Sequence, residues 1–189
     1  MALTVIGAEG FAHGVRSYSE PSPYPIEPMH TQQDGWRMAN PTGHQALRKG
    51  RVSQPGRLYL LTTVTADRMP WFGDTDLARI VGRVMIEPNA WGDARPLCWV
   101  LMPDHWHGLV ELGEHDGLAL VMNRFKSLIG KRLHTVMPSA RIWAHGYHDH
   151  ALRHDEDIHA VARYIIANPL RAGLVRRVCD YPYWDCIWL

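Results

Sequence analysis

Alternating and continuous apolar runs divide the chain into a short series of elements. The stretch "RLYLLTTVT" (Arg57 to Thr65) is β-branched and aromatic, bounded by "QPG" before it and "ADRMPW" after it, and predicts a strand. Asp74 is placed to cap a helix beginning "TDLARIVGRVMIE", in which Leu77, Ile80, Val81 and Val84 recur at helical spacing. "RPLCWVLM" and "HWHGLVEL" read as two strands joined through Pro103 and Asp104, an antiparallel hairpin. From Leu118 to Met137 the pattern is that of an amphipathic helix, with Leu118, Val121, Met122, Phe125, Leu128 and Leu133 toward the core and basic residues outside. "RIWAHGYHDHALR" reads as a further strand, and "DEDIHAVARYIIANP" as a helix from near Asp155 to Asn168, stopped because Pro169 disfavours helical geometry in the residue before it. This order predicts one α+β domain over residues 47–189, a mainly antiparallel sheet with helices packed on it. Residues 1–46 carry Pro21, Pro23, Pro25, Pro28 and Pro41 without a sustained apolar period, and read as a flexible leader, with Met38 as a candidate true start.

Composition narrows the class only modestly. A chain of 189 residues suffices for one full core, and no apolar run approaches a membrane span. The N-terminus lacks the features of a secretory signal, and three cysteines, Cys98, Cys179 and Cys186, form no CxxC pair; buried thiols in the cytoplasm are the expectation. The net charge of +1 hides an asymmetry: through Arg37 two basic residues meet four acidic ones, while the remaining 18 Lys/Arg face 15 Asp/Glu. Two clusters hold no acid. One contains Arg48, Lys49, Arg51 and Arg57, the other Arg124, Lys126, Lys131 and Arg132. Such patches can follow a phosphate backbone, although a single run is more often a solvated face.

The candidate chemistry starts from "MPDHWHGLVEL". On a strand His105 and His107 share a face while Trp106 points to the other, and two adjacent imidazoles in an otherwise apolar strand suggest a metal site. A polar face turned to water is the competing explanation. Tyr164 and Asn168 lie four residues apart in "RYIIANP" and so share a helical face. Alone, the tyrosine reads as packing and the asparagine as a helix terminator; joined to the histidines and basic patches they make a constellation of metal, nucleophile and polyanionic substrate. "HDHALR" adds His148, Asp149, His150 and Arg153 as a border to that site or, equally, a polar strand end. Trp99, Trp106 and Trp143 read as core, with Trp143 a candidate stacking surface for a base.

The segments "RKGRVSQPGRLYLLTTVT", "CWVLMPDHWHGLVEL", "IWAHGYHDHALR" and "ARYIIANPLRAGLV", in that order and covering about Gln45 to Val175, resemble the single-tyrosine HUH nucleases and, within them, the REP-associated tyrosine transposases. The resemblance implies a ferredoxin-like antiparallel sheet with flanking helices. It also implies His105, His107 and Asn168 as ligands of a divalent ion, Mg²⁺ or Mn²⁺, and Tyr164 as the nucleophile that forms a covalent 5′-phosphotyrosine. The substrate implied is single-stranded or hairpin DNA, contacted by the two basic clusters and rejoined without ATP. The REP-associated branch working within one chain favours a monomer, with a dimer as the alternative.

Two other readings compete. A zinc hydrolase would join His105 and His107 to His148 and His150, but HxHxDH-type ligation is missing because "GLVEL" follows His107. A domesticated protein that binds hairpins without cutting would not need both histidines, Tyr164 and Asn168 together.

Overall fold

The structure, a computed structural model, describes residues 53–188. The expected leader at 1–46, the Met38 start, and Arg48, Lys49 and Arg51 lie outside the described residues. The elements are β1 (Leu58–Val64), α1 (Thr75–Met85), the single-turn α2 (Pro88–Trp91), β2 (Arg95–Met102), β3 (His105–Glu111), α3 (Leu118–Leu133), β4 (His148–Ala151), α4 (Ile158–Ile166), the single-turn α5 (Asn168–Arg171) and β5 (Trp184–Cys186). The strands form one sheet in the order β4-β1-β3-β2-β5, every neighbouring pair antiparallel. The expected α+β architecture is therefore borne out.

Local signals account for most boundaries. The Asp74 carboxylate accepts from the amides of Asp76 and Leu77 at 2.9 and 3.1 Å and starts α1, as its position before the apolar period predicts. Pro103 and Asp104 turn β2 into β3, pairing Met102 with His105. Three boundaries move. The long helix ends at Leu133, not Met137. Helix α4 is capped by Asp157, which accepts from the His159 amide at 2.8 Å, so it begins later than Asp155. Of the strand expected from Arg141 onward only His148–Ala151 pairs along its length, with an isolated bridge between Thr65 and Trp143. β5 escapes the sequence pattern because three residues on a sheet edge are too few to show a period.

The sheet has two differently covered faces. On one, Tyr59, Leu61, Trp99, Leu101, Trp106 and Val110 pack against α1 and α3 through Val81, Val84, Val121, Met122, Phe125 and Ile129. Trp91, Trp106 and Phe125 are mutually in ring contact there, at centroid distances of 4.8 to 5.8 Å. Gly108 makes room for this arrangement, since a Cβ at that position would lie 2.2 Å from the Trp106 indole. Trp143 belongs to the same core, against Phe72 and Phe125, which corrects its reading as a base-stacking surface. On the other face Cys98, Val100, Met102 and Leu109 pack against Val161, Ala162, Ile165 and Ile166 of α4. Cys98 and Cys186 are buried as expected, whereas Cys179 is exposed. Among the described residues no helix is long and apolar enough to cross a membrane.

Candidate active site

Strand register decides which polar residues meet. His107 lies opposite Thr62 and Val100, and His105 opposite Val64 and Met102, so both histidines stand on the α4 face of the sheet. Their rings are 4.7 Å apart, edge to face. Each has its Nδ1 engaged. His105 Nδ1 is 2.5 Å from the Asp104 carboxylate, which also takes Arg68 Nη1 at 3.0 Å. A carboxylate only accepts, so Nδ1 carries the proton and Nε2 keeps its lone pair. His107 Nδ1 is 2.6 Å from Thr62 Oγ1, and with the threonine accepting, its Nε2 is likewise a ligand nitrogen.

Electrostatics agree with that role. Burial, followed by the charges of His105 and Arg171, pushes the His107 imidazole down to about 3. Burial also lowers His105, against the opposing pull of Asp104. Both rings are therefore neutral at neutral pH, the form that binds a cation. Burial works against the charged Asp104 carboxylate, yet the His105 hydrogen bond and Arg68 outweigh it and hold Asp104 below its usual value.

The second half of the site comes from the end of α4. Tyr164 lies in its last turn and is 39 % exposed, while Ile165 and Ile166 beside it anchor the helix to the sheet. Asn168 donates its side-chain amide to the Ile165 carbonyl at 2.9 Å and the Tyr164 carbonyl at 3.4 Å. Spending the NH₂ on the helix end leaves the amide oxygen as a neutral oxygen donor. Arg171, one turn further, places its guanidinium carbon 3.9 Å from the Tyr164 ring centroid and donates Nη2 to the Tyr164 carbonyl at 2.9 Å. Its charge also contributes to the lowering of His107. Two oriented imidazoles and one amide oxygen are a donor set that suits a divalent cation with open positions.

The remaining sequence candidates fall in different places. His148 pairs with Thr62 and His150 with Leu60, so both stand in rows of the histidine face, whereas Asp149 pairs with Leu61 in a row of the opposite face. His150 Nε2 is 3.0 Å from Glu156, which also receives the Arg153 amide at 2.6 Å. Among the described residues no three His, Cys, Asp or Glu side chains gather as a metal cluster, so His148 and His150 do not complete the set that a zinc hydrolase needs. The basic face of α3 lies across the sheet from the histidines and is largely engaged within the chain. Arg124 pairs with Asp116 at 2.6 Å and Arg132 with Glu87 at 3.2 Å, and Lys126 donates to the carbonyls of Ala144 and Gly146, each at 2.7 Å. Arg57 donates to Gln54 at 2.6 Å, and Lys131 sits on the last turn of α3.

Four contributors escaped the sequence reading. Thr62 was an ordinary β-branched residue until register set it beside His107, and Arg68 reaches Asp104 only through the turn after β1. Asp104 did carry a signal, as an acid directly preceding the first histidine of an HxH pair. Arg171 stood inside the motif "NPLRAGL" without a role.

This combination of a two-histidine central strand and a tyrosine helix on one sheet face belongs to a recognisable class. Residues 57–168, more than half the chain, match the family described as "Transposase IS200 like", and the chain belongs to that family. It is 31 % identical over 85 residues to the REP-associated tyrosine transposase of Escherichia coli (strain K12), covering 45 % of this chain and 50 % of that protein. It is also 29 % identical over 94 residues to a Haemophilus influenzae protein provisionally named for the same class, covering 44 % and 53 %. The chain thus spans about half the length of the curated relatives it matches. Its fold matches that of a REP-associated tyrosine transposase solved bound to a REP hairpin, with a TM-score of 0.58 at 24 % identity over 71 % of this chain and 79 % of that one. The family resemblance and the fold expected from the sequence are both borne out.

Proposed function

We propose that this protein nicks single-stranded or hairpin DNA and transfers the strand through a covalent bond to Tyr164. The observations that carry the reading are an edge-to-face histidine pair on the sheet face that α4 covers, with Nδ1 of each ring engaged, and a part-exposed Tyr164 in the last turn of that helix with Arg171 stacked on its ring. Tyr164 Oη attacks the scissile phosphorus, the bond from phosphorus to the 3′-oxygen breaks, and the leaving oxygen takes a proton from solvent while the phenol gives one up. The product is a 5′-phosphotyrosine and a free 3′-hydroxyl, and because the phosphodiester bond energy is kept, the same site can run the step backwards onto a new end. His105, His107 and Asn168 would hold a divalent ion, Mg²⁺ or Mn²⁺, which when bound supplies Lewis-acid polarisation of the phosphate. Asp104 and Thr62 orient the two imidazoles, and α4 fixes the tyrosine against the sheet.

Hairpin DNA is the favoured substrate because a relative of the same fold was captured on a REP hairpin. Of the two basic clusters, the segment from Arg48 to Arg57 is the better candidate for the phosphate backbone, since three of the four basic residues on α3 already have partners within the chain. Work in the cytoplasm and as a monomer completes the reading.

The test is a denaturing gel of 5′- and 3′-labelled hairpins with Mg²⁺ or Mn²⁺. Wild type should retain the fragment 3′ of the nick as a protein-linked band and leave a 3′-hydroxyl on the other. Tyr164→Phe should bind the hairpin and form no adduct, and His105→Ala or His107→Ala should lose cutting. Release of both fragments without an adduct would favour hydrolysis, and binding without cutting would favour a protein that only recognises hairpins.

A further inference from the structure

We infer that Arg171 is a phosphate-binding residue of the same reaction, holding Tyr164 in line while its guanidinium takes a non-bridging oxygen of the scissile phosphate. The inference rests on the tyrosine-transfer reading above and adds to it a residue that the metal and nucleophile roles do not use.

Its placement is built into the chain. Asn168 and Pro169 start α5 immediately after α4, and the turn closes at Gly173, whose φ of +68° is a left-handed conformation that favours glycine. The Gly173 amide donates to Leu170 at 3.0 Å and the Leu174 amide to Pro169 at 2.9 Å, a Schellman closure that returns the chain within one turn. Arg171 itself follows Tyr164 by seven residues, two helical turns, its amide donating to the Ala167 carbonyl at 3.1 Å, and so returns to the tyrosine's side of the helix. Among the described residues it pairs with no carboxylate, and with Nη2 donating to the Tyr164 carbonyl, guanidinium N–H groups remain for a ligand. A cation stacked on the ring of the proposed nucleophile, with no acid paired to it among the described residues, is matched by an anionic ligand. A phosphodiester in transit to Tyr164 is that anion, and a planar guanidinium suits two of its oxygens. When Tyr164 Oη forms its bond to phosphorus and the 3′-oxygen departs, negative charge builds on those non-bridging oxygens, where Arg171 acts most strongly.

The experiment compares wild type with Arg171→Gln and Arg171→Lys in single-turnover adduct formation on a 5′-phosphodiester hairpin at saturating DNA with Mn²⁺. Hairpin affinity and Mn²⁺ affinity are measured in parallel. Loss of one preorganised donor to developing charge costs on the order of 10²- to 10³-fold in rate, and Arg171→Gln should fall by that factor. Mn²⁺ and hairpin affinities should change by less than about threefold, because the charge acts mainly in the reacting state. Arg171→Lys, which retains the charge without the fork, should lie between. A Gln variant as fast as wild type would overturn the inference, as would a Lys variant as slow as Gln, which would reduce Arg171 to a packing residue. Should Gln fail to fold, Lys at the wild-type rate would overturn it and an intermediate rate would support it. An adduct formed by wild type together with a fast Arg171→Gln sinks only this inference; no adduct from wild type sinks the tyrosine-transfer reading itself and this one with it.

Discussion

Replacing Asp104 by Asn probes whether the histidine pair is held as a ligand site. The carboxylate lies 2.5 Å from His105 Nδ1 and 3.0 Å from Arg68, and it alone fixes the proton of His105 on Nδ1. An asparagine in the same place can donate as well as accept, so it no longer forces Nε2 to be the free nitrogen, and the charge that raises the ring's basicity is gone. Losing such an outer partner costs about 10- to 100-fold in metal affinity, or about 1.4 to 2.7 kcal/mol. Mn²⁺ titration calorimetry on the folded protein without DNA measures this directly. The Arg68→Gln control removes the other partner of Asp104, a pair whose arginine is 60 % exposed and therefore contributes at most about 1 kcal/mol. An Asp104→Asn affinity within twofold of wild type, with the control unchanged, would refute the argument that the carboxylate sets the tautomer of His105.

Acid should destabilise the metal-free protein. His107 is lowered from 6.5 to about 3, so the unfolded chain takes up the proton first, and its contribution is complete above pH 6.5 and lost as the pH falls toward 3. At pH 5 the loss is about 2 kcal/mol, with His105 adding in the same direction; a urea midpoint in chelator that stays level from pH 7 to 5 would contradict it. Gly108→Ala should destabilise by about 1–3 kcal/mol, because its Cβ would meet the fully buried Trp106 ring, and a thermal melt matching wild type would show that the ring can shift at no cost. Alanine at Arg48, Lys49 and Arg51 should flatten the salt dependence of hairpin binding by roughly 0.7 per lost phosphate contact, whereas alanine at Arg124 and Arg132 should leave it unchanged. The reverse pattern would move the DNA to the α3 face.

The parts of the fold and site carried by short-range signals were legible in the sequence. Asp74 announced its helix through cap chemistry, the Pro103–Asp104 turn announced the hairpin, and alternation alone put His105 and His107 on one face. Tyr164 and Asn168 could be paired by helical spacing. What alternation could not supply was the identity of neighbouring strands. Thr62 became the partner of His107 only because β1 lies beside β3, and β5 joined β2 from the far end of the chain. The partners of the basic face of α3 were hidden for the same reason. "RFKSLIGKR" contains no acid, but Asp116 and Glu87, brought in by the fold, neutralise two of its cations. Arg171 follows Tyr164 and Asn168 at helical spacing, but Pro169 reads as the end of the helix, and only the continuation through α5 stacks the guanidinium on the Tyr164 ring.

The central claim is a covalent bond between Tyr164 and DNA, and peptide mapping tests it most directly. Wild-type protein is incubated with a hairpin and Mn²⁺, digested with nuclease and protease, and analysed by tandem mass spectrometry. The account predicts a nucleotide phosphate on the phenolic oxygen of Tyr164, absent from Tyr164→Phe. A nucleotide attached to any other residue, or cut DNA without a modified peptide, would contradict it.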